Sequence, residues 1–235
     1  MIPAQGVLVT QNPSSQRKGT DTMKKILVVD NHPVMLKFMT DLLEKNAHQV
    51  LTAKDGVSAL DILENHVPDV IFIDLVMPNI SGDKLCRIIR QTPKLKDTYL
   101  VILSAIAAEG GVEFQKVGAN ACIAKGPFNR MSDHVLGLLT RLEGETPDTS
   151  PGEIIGLEDI HKRQITEELL SSKRHSDVVL GNICEGIIEL TPEGKIVYAN
   201  PFATSLLGAT EEALLGSPFV EIFENENQKR VSEVL

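Results

Sequence analysis

Between Lys24 and Leu142 short apolar runs alternate with stretches whose apolar residues recur at helical spacing. Strands buried on both faces read as continuous Val, Ile and Leu, so this alternation predicts a parallel sheet covered by helices on both sides. Ile26-Leu27-Val28-Val29 predicts a first strand ending at Asp30, and Pro33 to about Lys45 a first helix. Val34, Leu36, Phe38, Met39, Leu42 and Leu43 form its apolar face, and Pro33 suits a first helical turn, where a missing N–H costs nothing. A weaker strand from Gln49 to Ala53 precedes a helix from Gly56 to Asn65. Asp69 to Ile73 then runs into Asp74, and a third helix follows Gly82. Leu100 to Leu103 ends at Ser104, a fourth helix spans roughly Glu109 to Val117, Ala121 to Ala124 ends at Lys125, and a fifth helix covers about Arg130 to Leu142.

Past this point the pattern changes. Residues 143–153, rich in Pro, Gly and acid, predict a linker closing a domain that spans 23–142. Residues 154–181 predict one long helix, with Leu157, Ile160, Ile165, Leu169 and Val179 as a loose apolar stripe through which two copies could pair. In residues 182–235, Gly186 to Leu190 and Lys195 to Tyr198 predict a hairpin around Thr191-Pro192-Glu193-Gly194, followed by short helices at Ala203 to Leu207 and Glu211 to Leu215. A two-stranded unit cannot bury a sufficient core alone, so it is expected to be truncated or to lean on a partner. Residues 1–22 are polar and predict a disordered leader, with Met23 as the functional start.

Composition narrows the classes. With 42% hydrophobic and 23% charged residues the chain is an ordinary globular one. Its net charge of -9 argues against nucleic acid or an anionic membrane as the main partner, since such binding needs clustered Lys and Arg. No apolar run is long enough for a signal-peptide core or a membrane span, which predicts a cytoplasmic protein. Cys86, Cys122 and Cys184 lack metal-ligand spacing and are expected to be reduced core or near-core fillers.

Asp30, Asp74, Ser104 and Lys125 each stand directly after a predicted strand, and the C-terminal ends of parallel strands share one edge, where ligands bind in doubly wound folds. Two carboxylates there suit a hard divalent cation such as Mg2+. Asp74 is then a candidate nucleophile, Lys125 a counter-charge for transferring phosphoryl oxygens, and Ser104 a hydrogen-bond donor to one of them. A lone Asp at a strand end is more often a helix cap or turn former, but four such residues in register outweigh that reading. His32 reads as an exposed loop residue, and Met77-Pro78 with Gly82 as the turn that presents the Asp74 loop.

Val29-Asp30-Asn31, Ile73-Asp74, Met77-Pro78, Gly82, Leu103-Ser104-Ala105 and Lys125 together resemble the receiver domain of two-component response regulators. The resemblance implies a flavodoxin-like, doubly wound, five-stranded α/β fold. It also implies phosphorylation of Asp74 by a sensor histidine kinase or phosphotransfer protein, and a Mg2+ site built from Asp30, Asp74 and the main-chain carbonyl of Val76, to which the Asn31 amide oxygen could add. Three positions depart from the family pattern. Asn31 replaces the usual second acid. Gly126 precedes Pro127, so any cis bond would fall at Gly126-Pro127. Cys122 stands at the switch position where an aromatic residue is common.

Glu185-Gly186-Ile187-Ile188, Gly194 to Pro201 and Leu206-Leu207-Gly208 resemble the start of a PAS domain, with no cofactor assignable. The reading is a regulatory phosphoacceptor module, not itself an enzyme. It would signal through its fourth and fifth helices and the long helix to the α+β PAS unit, with output beyond Leu235. Two alternatives stay open: an unphosphorylated interaction scaffold of the same fold, and a Mg2+-dependent aspartyl phosphatase.

Overall fold

A computed structural model describes residues 23–104, 116–143, 153–156, 180 and 182–223. Its centre is a parallel sheet of β1 (Lys25–Val29), β2 (Gln49–Ala53), β3 (Val70–Asp74), β4 (Tyr99–Ser104), β5 (Ala121–Ala124) and β6 (Glu153–Ile155), in the order β2-β1-β3-β4-β5-β6. The chain steps to one side of β1 to make β2 and to the other to make β3. The C-terminal ends of β1 and β3, which carry Asp30 and Asp74, therefore flank the point where strand order reverses. Such a switch point leaves a crevice, because successive connections depart to opposite faces.

Helices α1 (Pro33–Lys45), α2 (Gly56–Asn65), α3 (Gly82–Gln91) and α4 (Phe128–Arg141) cover the sheet. Met39, Leu43, Met131, Val135 and Leu138 pack on one face with Val28, Phe72 and Leu103. Leu63, Leu85, Cys86 and Ile89 pack on the other with Leu27, Ile71 and Ile102. Phe72 and its strand neighbours are fully buried, each contributing roughly 1.5–3 kcal/mol relative to exposure. Pro33 opens α1 as its sequence position predicts, whereas Val34, expected on the apolar face, is exposed. Asp55 caps α2 reciprocally: its carboxylate accepts from the Ser58 N–H at 2.8 Å, and Ser58 Oγ accepts from the Asp55 N–H at 3.2 Å.

The structure corrects several expectations. The sheet has six strands rather than five, because Glu153, Ile154 and Ile155 pair with β5 in the register Cys122↔Ile154. The segment assigned to the linker's end and to the start of the long helix is thus strand. Its length is set by the open edge of β5, which local sequence does not report. The remainder of that helix and the body of the fourth predicted helix lie outside the described residues, and Lys116 to Gly118 form a turn. No cis peptide occurs among the described residues, so Gly126-Pro127 is trans. Cys86 and Cys122 are buried as expected, with burial pushing both thiols up to about 12, but Cys184 is exposed.

The C-terminal unit is an antiparallel hairpin of β7 (Ile188–Leu190) and β8 (Ile196–Ala199), followed by α5 (Pro201–Leu207) and α6 (Glu211–Leu214). Asn200, fully buried, holds it together with all four of its side-chain bonds. The amide donates to the carbonyls of Glu185 (2.8 Å) and Leu180 (3.2 Å), and the oxygen accepts from the N–H groups of Ile187 (3.0 Å) and Ala203 (2.9 Å). The partner this unit was expected to need is the first domain: Ile196, Val197, Leu214 and Leu215 belong to one continuous apolar cluster with Leu85 and Ile88.

Candidate functional site at the C-terminal rim of the sheet

The ladder brings the predicted quartet to one rim. Asp74 pairs across β4 with Leu103, Ser104 pairs across β5 with Ala124, and the Lys125 N–H donates to the Ser104 carbonyl at 2.8 Å. From there the Lys125 ammonium bridges both acids, 2.7 Å from Asp30 Oδ2 and 2.9 Å from Asp74 Oδ2. Asp30 is fully buried, and its second oxygen accepts from the His32 N–H at 2.8 Å. Asp74 Oδ1 is held more loosely, 3.4 Å from the Val76 N–H. Ser104 lies at the same rim and is 1% exposed.

One ammonium serves two buried carboxylates. Burial pushes the Asp74 carboxyl above the ordinary carboxylate range; Lys125 opposes the rise, and the charge on Asp30 adds to it. A cation entering the rim would supply a second positive charge. The available donors are oxygens: Asp30, Asp74, the Asn31 amide and the Val76 carbonyl, the last two on exposed residues, a set that fits a hard divalent ion such as Mg2+. Among the described residues no three His, Cys, Asp or Glu side chains cluster.

The loop after Asp74 is fixed from behind by Gly82. A Cβ built at this position would lie 2.2 Å from the Asp74 carbonyl oxygen, so only glycine admits this approach, and the Gly82 N–H donates to the Leu75 carbonyl at 3.1 Å. Asn79, at φ 61°, makes the turn between them. The expected turn around Met77-Pro78 and Gly82 is present.

Three side chains with structural consequences escaped the sequence reading. Arg90, at the end of α3, donates to the carbonyls of Gly118 (2.7 Å), Lys96 (2.9 Å) and Thr98 (2.8 Å) and to Asn120 Oδ1 (2.6 Å). Lys84 and Arg87 on the same helix reach the C-terminal unit. Apart from Asp83, which pairs with Arg87 at i,i+4 spacing on the same helix, their partners lie elsewhere in the chain, so local spacing does not announce them. Cys122 sits buried in β5 between Ile102 and Ile154 of the flanking strands.

The model of the response regulator receiver domain matches residues 26–135. Residues 26–135 are a response regulator receiver domain. A model of the PAS fold matches residues 174–235, so the C-terminal hairpin and its helices are PAS. Among curated relatives, the polar-differentiation response regulator DivK of Brucella anthropi is 26% identical over 103 residues, 43% of this chain and 84% of that protein. Among solved structures, the chemotaxis response regulator CheY4 of Vibrio cholerae is 30% identical with a TM-score of 0.48, covering 52% of this chain and 99% of that one. The receiver domain of a signal transduction histidine kinase from Syntrophus aciditrophicus is 26% identical with a TM-score of 0.46, covering 53% of this chain and 96% of that one. Receivers are regulatory phosphoacceptor modules rather than catalytic domains. Among the described residues of this receiver and its PAS unit, no helix is long and apolar enough to cross a membrane.

Proposed function

We propose that this receiver takes a phosphoryl group onto Asp74 from the phosphohistidine of a sensor kinase or phosphotransfer protein, and relays the modification to the PAS unit. The observation that carries the reading is the Lys125 ammonium shared between Asp30 and Asp74 at the strand-order switch point. Asp74 Oδ1 is the oxygen left for attack, because Lys125 holds Oδ2 and only a long contact holds Oδ1. As its bond to phosphorus forms, the phosphorus–nitrogen bond of the donor breaks, and the departing imidazole keeps the electron pair and takes a proton from solvent. Lys125 would then face the new phosphoryl oxygens, and the Ser104 hydroxyl would donate to one of them, a reading supported by the position of both residues at the same rim. Asp30, Asp74, Asn31 and the Val76 carbonyl would hold Mg2+, which when bound neutralises charge on the phosphoryl oxygens. Cys122 in β5 is the proposed switch position, and pairing of two copies through residues 157–179 belongs to the same reading.

Acetyl phosphate with Mg2+ provides the test, read by intact mass. One added phosphoryl group in the parent and none in Asp74→Asn is the expected result. Equal modification of both proteins, or of neither, would end the proposal.

A further inference from the structure

The PAS unit does not hang free of the receiver. Lys84 of α3 is 2.5 Å from Glu211 of α6 and lies 5.0 Å over the Tyr198 ring. One turn further along α3, the Arg87 Nε is 3.3 Å from Glu212. That N–H is buried without an aligned hydrogen bond, so the contact is ionic. Lys195 in the hairpin pairs with Asp61 of α2. Apolar contact closes the middle: a Cβ added to Gly216 would lie 2.5 Å from Leu60 Cδ1, at a backbone φ of 82° that itself favours glycine. The seam is not packed throughout, because a cleft of about 290 Å³ lined by Lys84, Tyr198, Pro201, Thr204 and Glu211 remains within it. The face combines ion pairs with an apolar contact that includes Leu60, Leu85 and Ile88, and with space left inside it has the make-up of an interface between domains rather than a sealed core.

The helix carrying these cations is tied directly to the phosphoacceptor. Its first residue, Gly82, rests on the Asp74 carbonyl, and Lys84 and Arg87 follow two and five residues later. Its far end is anchored by the four Arg90 bonds. A displacement of the Asp74 loop therefore pivots α3 about its C-terminal end and moves Lys84 and Arg87 most. The docked contacts already sit at bonding distance in the unmodified chain, so such movement spoils them, and tightly packed contacts respond by parting rather than by stretching.

We infer that the α2–α3 face of the receiver is a dock for the PAS unit of the same chain, released when Asp74 is phosphorylated. The release half rests on the function proposed above; the dock itself does not. The test uses the full chain with Cys184→Ser and spin labels at Thr52→Cys and Leu206→Cys, both exposed positions, read by pulsed electron resonance. Unmodified protein should give one narrow distance. Lys84→Glu with Arg87→Glu should lengthen and broaden it, and adding Glu211→Lys with Glu212→Arg should restore it. The exchange of Lys195→Glu with Asp61→Lys offers an independent loss and rescue should the first pair fail to fold. A distance unmoved by either single-sided reversal overturns the dock. Beryllofluoride with Mg2+ should broaden the parent distance as the reversal does; an unchanged distance in protein that acetyl phosphate does modify overturns the release. Absence of modification strikes the proposed phosphotransfer alone, since the charge exchanges need no phosphoryl group.

Discussion

Two clusters of ion pairs among the described residues differ in charge balance and in burial. At the rim, one ammonium faces two carboxylates, one of them fully buried. At the dock, Lys84, Arg87 and Lys195 meet Glu211, Glu212 and Asp61 across the two units, and Arg87 pairs with Asp83 of its own helix as well, three cations to four carboxylates. The dock cluster, with nearly as many cations as carboxylates and each of them partly exposed, holds two surfaces together. The rim cluster is unfinished, and the deficit, a missing positive charge, describes the ligand it would accept. Burial sharpens the contrast, because a buried charge without a partner cannot fall back on water.

Removing one cation from each cluster is the most severe way to break the comparison. Lys125→Met leaves two buried carboxylates without a counter-charge and should cost about 3–5 kcal/mol in urea unfolding. Lys84→Met, at a partly exposed pair, should cost about 1 kcal/mol or less. Millimolar Mg2+ should restore part of the first loss and none of the second. Equal losses, or Mg2+ rescue of both, would erase the distinction.

Gly82 joins the two clusters, and Gly82→Ala places a methyl group 2.2 Å from the Asp74 carbonyl oxygen. Overpacking of this kind costs roughly 1–3 kcal/mol. The variant should also slow modification by acetyl phosphate and broaden the receiver-to-PAS distance, whereas a merely local clash would leave that distance alone.

The gentlest probe is pH. Because burial raises the folded-state value of Asp74 above its unfolded one, the unfolded chain ionises first on raising the pH. Folded protein then binds more protons, so stability is greatest below the unfolded value near 3.8 and falls as pH climbs to the raised value. Asp74→Asn should flatten that fall and be the more stable protein at neutral pH, with Mg2+ narrowing the gap. Parallel stability-against-pH curves for the two proteins across this range would contradict a carboxyl raised by burial at Asp74.

How much of this was legible in the sequence depended on the range of the interaction responsible. The strands β1, β3, β4 and β5 were legible because burial on both faces imposes unbroken apolar runs. Asp30, Asp74, Ser104 and Lys125 were legible because each closes such a run, and parallel pairing aligns run ends automatically. Strand β6 was not, since three residues beside a Pro- and Gly-rich stretch carry no periodicity and take their form from the free edge of β5. The dock was hidden for a related reason: Lys84 and Glu211 are 127 residues apart, and a matched pair of surface charges looks locally like any solvated face. The hairpin's shortage of core was readable, but not that α2 and α3 would supply what it lacked.

Strand β6 has a consequence for how the polypeptide travels. Because it runs parallel to β5, with Ile155 opposite Ile123, it ends two rungs short of Lys125. The strand therefore ends at the margin that carries Asp30, Asp74 and Lys125, not at the opposite one. Gly156 thus stands on the same edge as Asp30 and Asp74, with β4 and β5 between it and the strand that carries Asp74.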